Sequence, residues 1–395
     1  MNQLKQTLAH YLRKTATRLA PKKSIAGITF ENLGATALPN TAPRALVIYD
    51  IGAIERYVRN APPDQAFTNR HTVHWDSLEM VHILNRHGYI VDYADARMPI
   101  ETSWDRYAIV IDLMDNLRKI PKIAGQTKIH FATYNHWLRW NSGELERTIW
   151  FKERTSITVP TNRQLPPILS DEHADYLTYF GTQLQIDSFS AKPKKFLLNI
   201  SSCFVPLYKK KDLNIARKKF LWIAGGGALF RGMDLALEAF SQVPEADFYL
   251  ITNLKDEPEF FKWAGPFVEK HATIHNMGRF DLSSPEFDAV ADQCIGTFGL
   301  STACGGPGSI ARVLHNGIIP ISMPTNFIRA EHLGYQVSGT TDHEIIASTV
   351  DRIREILETP SSELQTRSDA VREFAQENHT RESFSRSFSS LLQQL

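Results

Sequence analysis

Cysteine is scarce in this chain, with only Cys203, Cys294 and Cys304 in 395 residues. Their number is odd and no pair has metal-ligand spacing, which argues against a disulfide framework and a structural zinc site. A dominant charge is missing too. Forty-four Lys+Arg face forty-three Asp+Glu, a net charge of +1, so no global field draws the chain to nucleic acid. The longest nearly apolar run, residues 220–230, has eleven residues, three of them glycine. That is short of the roughly 20 residues a membrane span requires. No apolar stretch with a small-residue cleavage site follows the first basic residues, so no secretory signal is expected. Fixed-period repeats and low-complexity tracts are absent. What remains is globular composition, 43% apolar and 22% charged. At about 150 residues per domain, the length suits a soluble, two-domain, cytoplasmic protein.

The balanced charge hides an uneven start. Lys5, Arg13, Lys14, Arg18, Lys22 and Lys23 all precede the first acid, Glu31, and the remainder holds 38 basic against 43 acidic residues. Leu4, Leu8, Tyr11, Leu12 and Leu19 recur at helical spacing, which predicts a basic amphipathic helix. Such a helix is either solvated, docked on the protein, or laid by residues 1–23 on an anionic membrane surface. A mitochondrial presequence has a similar pattern.

From Arg44 the pattern alternates between strand and helix. Residues 45–49 (ALVIY) form an apolar run that reads as a buried parallel strand. A helix over 77–87 and strands over 89–93, 107–113 and 128–132 follow, then a helix over 142–155 and a strand over 156–159. Residues 191–219 are rich in lysine around one short strand. A second alternating block opens with a strand at 220–224, a helix at 232–243 and a strand at 247–252. It continues with strands at 294–298 and 318–322 and helices at 309–316 and 343–358. This spacing predicts an α/β protein of two Rossmann-like domains with parallel sheets facing across a cleft. The expected division is an extension over 1–40, one domain over 41–195, a hinge over 196–219, a second domain over 220–380 and a final helix over 381–395.

Two glycine clusters stand where strands give way to helices. Gly225-Gly226-Gly227 lead through Phe230-Arg231-Gly232 into the first. Met233 replaces the P-loop lysine, and Phe230 occupies the third glycine of the dinucleotide fingerprint, so neither motif is met. Backbone N–H groups at such a turn still favour an anion, and Arg231 can grip a diphosphate there. The second cluster is Ser301-Thr-Ala-Cys304-Gly305-Gly306-Pro-Gly308-Ser309. Its glycines allow close approach, and Ser309 can serve as helix cap and phosphate donor. His71 and His74, three residues apart, lack a third ligand at convincing spacing and suit an acceptor-facing loop or a helix start better than a metal. Asp50, Asp112 and Asp115 lie at strand ends. No Asp-x-Asp triplet and no Gly-x-Ser-x-Gly elbow occurs.

Residues 220–240, FLWIAGGGALFRGMDLALEAF, resemble the start of the donor-binding domain of the GT-B glycosyltransferases of the large "group 1" family. Residues 301–322, with CGGPGSIARVLHNGIIPIS at their end, resemble the same family's donor-binding loop and helix. The resemblance implies a sugar nucleotide bound through its diphosphate by Gly226, Gly227, Arg231, Gly305, Gly306, Gly308, Ser309 and Arg312. It places His136, just beyond the strand at 128–132, opposite the donor sugar. Asp50 is the other catalytic candidate, and His74, Trp137 and Arg139 are expected on the acceptor side. No metal or other cofactor is implied. The family carries two glutamates separated by seven residues where this chain has Cys304 and Arg312, which leaves retention or inversion open. The expected activity is transfer of a sugar from a nucleoside-diphosphate sugar to a glycan or lipid-linked acceptor, in surface polysaccharide synthesis. The alternatives are a sugar-nucleotide epimerase and a catalytically degenerate binding partner.

Overall fold

A computed structural model of the chain describes residues 29–58, 65–207, 209–303, 308–325 and 332–395. The basic segment over 1–23, and with it the expected membrane contact, lies outside the described residues, as do Cys304, Gly305 and Gly306.

Two sheets dominate. The first holds β1 (Phe30–Leu33), β2 (Arg44–Tyr49), β3 (Ile90–Asp95), β4 (Ile109–Asp112), β5 (Thr127–Ala132), β6 (Tyr176–Tyr179) and β7 (Lys194–Leu197). Their order is β1-β3-β2-β4-β5-β6-β7, and every pair but β1 with β3 is parallel. The second holds β8 (Lys219–Ile223), β9 (Asp247–Ile251), β10 (Ile274–Asn276), β11 (Gly296–Gly299), β12 (Ile319–Ser322) and β13 (Tyr335–Gln336). It is parallel throughout, in the order β10-β9-β8-β11-β12-β13. β2 shows why an unbroken apolar run gives a central strand. Ala45, Val47 and Tyr49 enter one core while Leu46 and Ile48 enter another on the opposite face.

The chain crosses between the halves at two helices. The helix Trp137–Thr155 follows β5, yet Phe151 is buried in the core of the second half, 5.2 Å from the Trp263 ring. The last helix, Arg381–Leu392, runs the other way and buries Phe384, Phe388 and Leu391 in the core of the first half. Ions hold the first crossing. Arg147 donates to both carboxylate oxygens of Asp234 at 2.6 Å, and both side chains are fully buried. Arg154, from the same helix, donates to Asp234 at 2.6 Å, to Glu238 at 2.7 Å and to Asp342.

The strand expected over 156–159 does not form. Ser156 closes the preceding helix at φ 60°, and its N–H donates to Lys152 O. The chain beyond it then runs without a partner strand, and Val159 packs in the core of the second half. The helix expected from 77 begins at Thr72, capped by the His71 side chain, which accepts from the Val73 N–H.

Asp234 is the acid paired with the buried Arg147, so Asp234→Ala leaves that guanidinium uncompensated, while Arg154 keeps Glu238 and Asp342. A loss of roughly 3–5 kcal/mol is expected in urea denaturation. Lys262→Ala, which breaks an exposed pair with Glu259, serves as the control and is expected to cost under about 1 kcal/mol.

Candidate active site

In an open parallel sheet, ligands bind beyond the carboxyl ends of the strands where the strand order reverses. The second sheet reverses between β8 and β11, and the first between β2 and β4. The carboxyl ends of β2, β5, β8 and β9 supply Tyr49, Thr133, Ala224 and Ile251 to one cavity of about 940 Å³. Its lining comes from both halves of the chain.

The wall from the second half begins at the glycine turn after β8. Gly225 and Gly226 line the cavity, and Gly227 lines a smaller side pocket beside it. Gly227 and Gly232 have φ of 71° and 81°. A Cβ on Gly232 would lie 2.7 Å from Leu300 O, so only glycine lets this turn pack against the end of β11. Arg231 then folds back, with Nε donating to Gly226 O at 2.9 Å. Arg279, just beyond β10, reaches the same turn, with Nη2 3.4 Å from Gly225 O. Gly308 and Ser309 complete this wall.

The opposite wall is the start of the helix Thr72–Arg86, with His71, Thr72, Val73 and Asp76 on the lining. The walls meet there, since a Cβ on Gly308 would lie 3.2 Å from Thr72 Cγ2. At the mouth, Arg70 Nε and Asp281 Oδ2 approach to 4.0 Å. Burial, with His74 beside it, lowers the His71 pKa against the opposing pull of Asp50, which favours the neutral ring. Asp76 is buried and accepts from Ser201 Oγ at 2.7 Å. Burial pushes its carboxyl up to about 7, although Ser201 and Arg381 favour the charged form.

Arg163 joins the two walls. The helix Trp137–Thr155 pins its loop: the buried Glu144 accepts from the Asn162 and Arg163 N–H groups at 2.7 and 2.8 Å. Trp140 Nε1 donates to Arg163 O at 2.6 Å. The Arg163 side chain lies over the glycine turn, 3.1 Å from where a Gly227 Cβ would be.

Of the residues named from sequence, Gly226, Arg231, Gly308 and Ser309 line the cavity, and Gly227 adjoins it. Arg312 is held elsewhere. Its fully buried guanidinium donates to Leu282 O at 2.8 Å, to Asn316 at 2.6 Å and to Asp288, so it braces the wall from behind. Asp50 caps the turn after β2 by accepting from the Gly52 N–H at 3.0 Å. His74 stacks on Phe67 with ring centres 4.1 Å apart. His136 stands at the N-cap position of the helix Trp137–Thr155 without a capping side-chain bond, its Nε2 3.9 Å from Asp171 and its ring beside Phe189. Trp137 follows it in the first turn, and exposed Arg139 lies 3.5 Å from Thr302 O in the other half. None of these six lines the cavity. Asp76, Arg163 and Arg279 do, and the sequence reading passed over all three. Among the described residues, no group of three or more His, Cys, Asp or Glu is placed to hold a metal ion, and no helix is long and apolar enough to cross a membrane.

No family model and no curated protein sequence matches the chain. Solved structures do. HepE from Anabaena, in complex with UDP and glucose, aligns over 89% of this chain and 100% of its own at 12% identity and a TM-score of 0.54. Sucrose-phosphate synthase from Thermosynechococcus elongatus aligns over 89% of this chain and 98% of its own, at 13% identity and a TM-score of 0.55. The chain therefore has the two-domain GT-B fold of these glycosyltransferases.

Asp76 holds its proton more tightly in the folded chain than in the unfolded one, where its pKa is near 3.8. Its contribution to stability is thus full below that value and is lost as the pH rises through about 7. Relative to Asp76→Asn, the wild type is expected to lose stability between those limits, by up to about 1.4 kcal/mol per pH unit. Urea titrations of both proteins across that range check this.

Proposed function

We propose that the chain is a glycosyltransferase that moves a sugar from a nucleoside-diphosphate sugar to a glycan or lipid-linked acceptor. The observation that carries the reading is the cavity at the carboxyl ends of both sheets, with Arg70, Arg163, Arg231 and Arg279 on its lining. Four guanidinium groups outnumber the two lining carboxyls, Asp76 and Asp281. Such an excess suits a dianionic diphosphate and stabilises the charge that develops when it leaves. HepE, which shares the fold, was solved with UDP and glucose.

In this reading the glycine turn, Arg231, Arg279 and Ser309 hold the diphosphate, and the helix Thr72–Arg86 forms the acceptor wall. Gly305 and Gly306, outside the described residues, are assigned to the same diphosphate by the resemblance alone. His136, carried by the resemblance, and Asp50 are the catalytic candidates, with His74, Trp137 and Arg139 on the acceptor side, although none of the five lines the cavity. The diphosphate's charge is met by arginines, and no metal is assigned. The donor is cytoplasmic, the acceptor is a growing surface polysaccharide, and residues 1–23 are the part that meets an anionic membrane.

Thermal shift with UDP, GDP, ADP, CMP and dTDP tests the donor site. One nucleotide is expected to raise the melting temperature of the wild type, with about 2.7 kcal/mol gained at a hundredfold excess over Kd. Arg231→Ala and Arg279→Ala are each expected to weaken that binding about 10- to 100-fold, the scale of a charged hydrogen bond at roughly 1.5–3 kcal/mol. No response to any nucleotide would refute the donor site.

A further inference from the structure

Among the described residues, the most buried polar group on the acceptor wall is a carboxyl that forms no salt bridge. Asp76 is 1% exposed, lines the cavity, and receives one hydroxyl bond, from Ser201 Oγ at 2.7 Å. Arg381, the cation that favours its charge, donates instead to Asn69 Oδ1 at 3.0 Å and to Cys203 O at 3.3 Å, and stacks on Trp75. The other ionisable groups that face Asp76 are Glu79, in its own helix, and Tyr49, on β2; both are acids. A buried carboxyl whose nearby cation is bonded elsewhere costs stability, so its place on a cavity wall calls for a use. The position supplies one. Thr72, where the two walls touch, is four residues earlier on the same helix, about 6 Å along the axis at 1.5 Å per residue. The arginine-lined diphosphate wall lies across the gap.

We infer that Asp76 is the base that accepts the proton of the attacking acceptor hydroxyl. This rests on the transferase reading above. The acceptor oxygen bonds to the anomeric carbon, and the bond from that carbon to the diphosphate oxygen breaks. The electron pair leaves with the nucleoside diphosphate, and the hydroxyl proton passes to the Asp76 carboxylate. Burial sets that carboxyl near neutrality, where a base works best. Ser201 orients it from behind, and the acceptor class is a hydroxyl-bearing glycan.

The test is release of nucleoside diphosphate from UDP-, GDP-, ADP- and dTDP-glucose between pH 5.5 and 9, with water or methyl glucoside as acceptor. The wild-type rate is expected to rise with pH through a midpoint near 7. Asp76→Asn, which keeps a partner for Ser201, is expected to be slower by roughly 10²- to 10⁴-fold and flat with pH. Its stabilisation by nucleotide diphosphate should be unchanged. Ser201→Ala removes a bond that favours the charged form, so it is expected to move the midpoint upward while the protein stays active. A wild-type rate and profile in Asp76→Asn, or an unmoved midpoint in Ser201→Ala, would overturn the assignment of Asp76 and leave the transferase reading intact. A wild type that binds nucleotide diphosphate but releases none from any donor overturns both.

Discussion

Arg147 and Arg154 leave one face of a single helix and converge on Asp234, a carboxylate from the other half of the chain. Much of the site's geometry follows from that meeting. The helix Trp137–Thr155 lies between β5 and β6 of the first half by sequence, but the ion cluster and Phe151 bind it into the second half. The same helix carries Trp140 and Glu144, which fix the loop that brings Arg163 over the glycine turn. A charge cluster that does not line the cavity thus sets where one of the cavity's cations stands. Buried pairs of this kind are weak evidence for net stability. Their effect here is positional: they admit one register of helix against domain, because any slip would strand two guanidinium groups in a dry interior.

The two walls of the cleft differ in their chemistry. On the diphosphate side, backbone turns and guanidinium groups dominate, and Gly232 lets the turn approach β11 closely. On the acceptor side, a helix start offers a neutral imidazole at His71, a hydroxyl at Thr72 and a carboxyl at Asp76. Positive potential on one wall and a proton-holding group on the other form the division that group transfer from an anionic leaving group needs.

The fold was legible because its central strands are buried on both faces. Runs such as 45–49 and 220–224 leave nothing polar to confuse the period, and each glycine cluster marked where a strand gave way to a helix. Edge elements carried less signal: β1, β10 and β13 have four, three and two residues. The diphosphate wall was half legible. Arg231 lies within a recognisable turn, whereas Arg279 follows a three-residue strand that leaves no periodic trace. Asp76 was missed for a definite reason. A helix was expected over 77–87, with 71–74 read as a loop or a helix start, and nothing joined the two across Asp76, whereas one helix runs from Thr72 with His71 as its cap. Arg312 shows the reverse error. Its spacing in a donor-binding pattern suggested a phosphate contact, but no local pattern announces Asp288, Asn316 and Leu282 O as the partners that claim it.

The last helix gives the molecule an order of completion. Phe384, Phe388 and Leu391 are integral to the core that β2, β3, β4 and β5 build near the start of the chain. On the ribosome those strands emerge first with the helix Thr72–Arg86, which covers part of their shared face, but the patch under Phe384, Phe388 and Leu391 stays open until the second domain has been made. The first half is therefore not a unit that matures ahead of the second. Synthesis must carry that open patch past the second domain before the helix Arg381–Leu392 can close it.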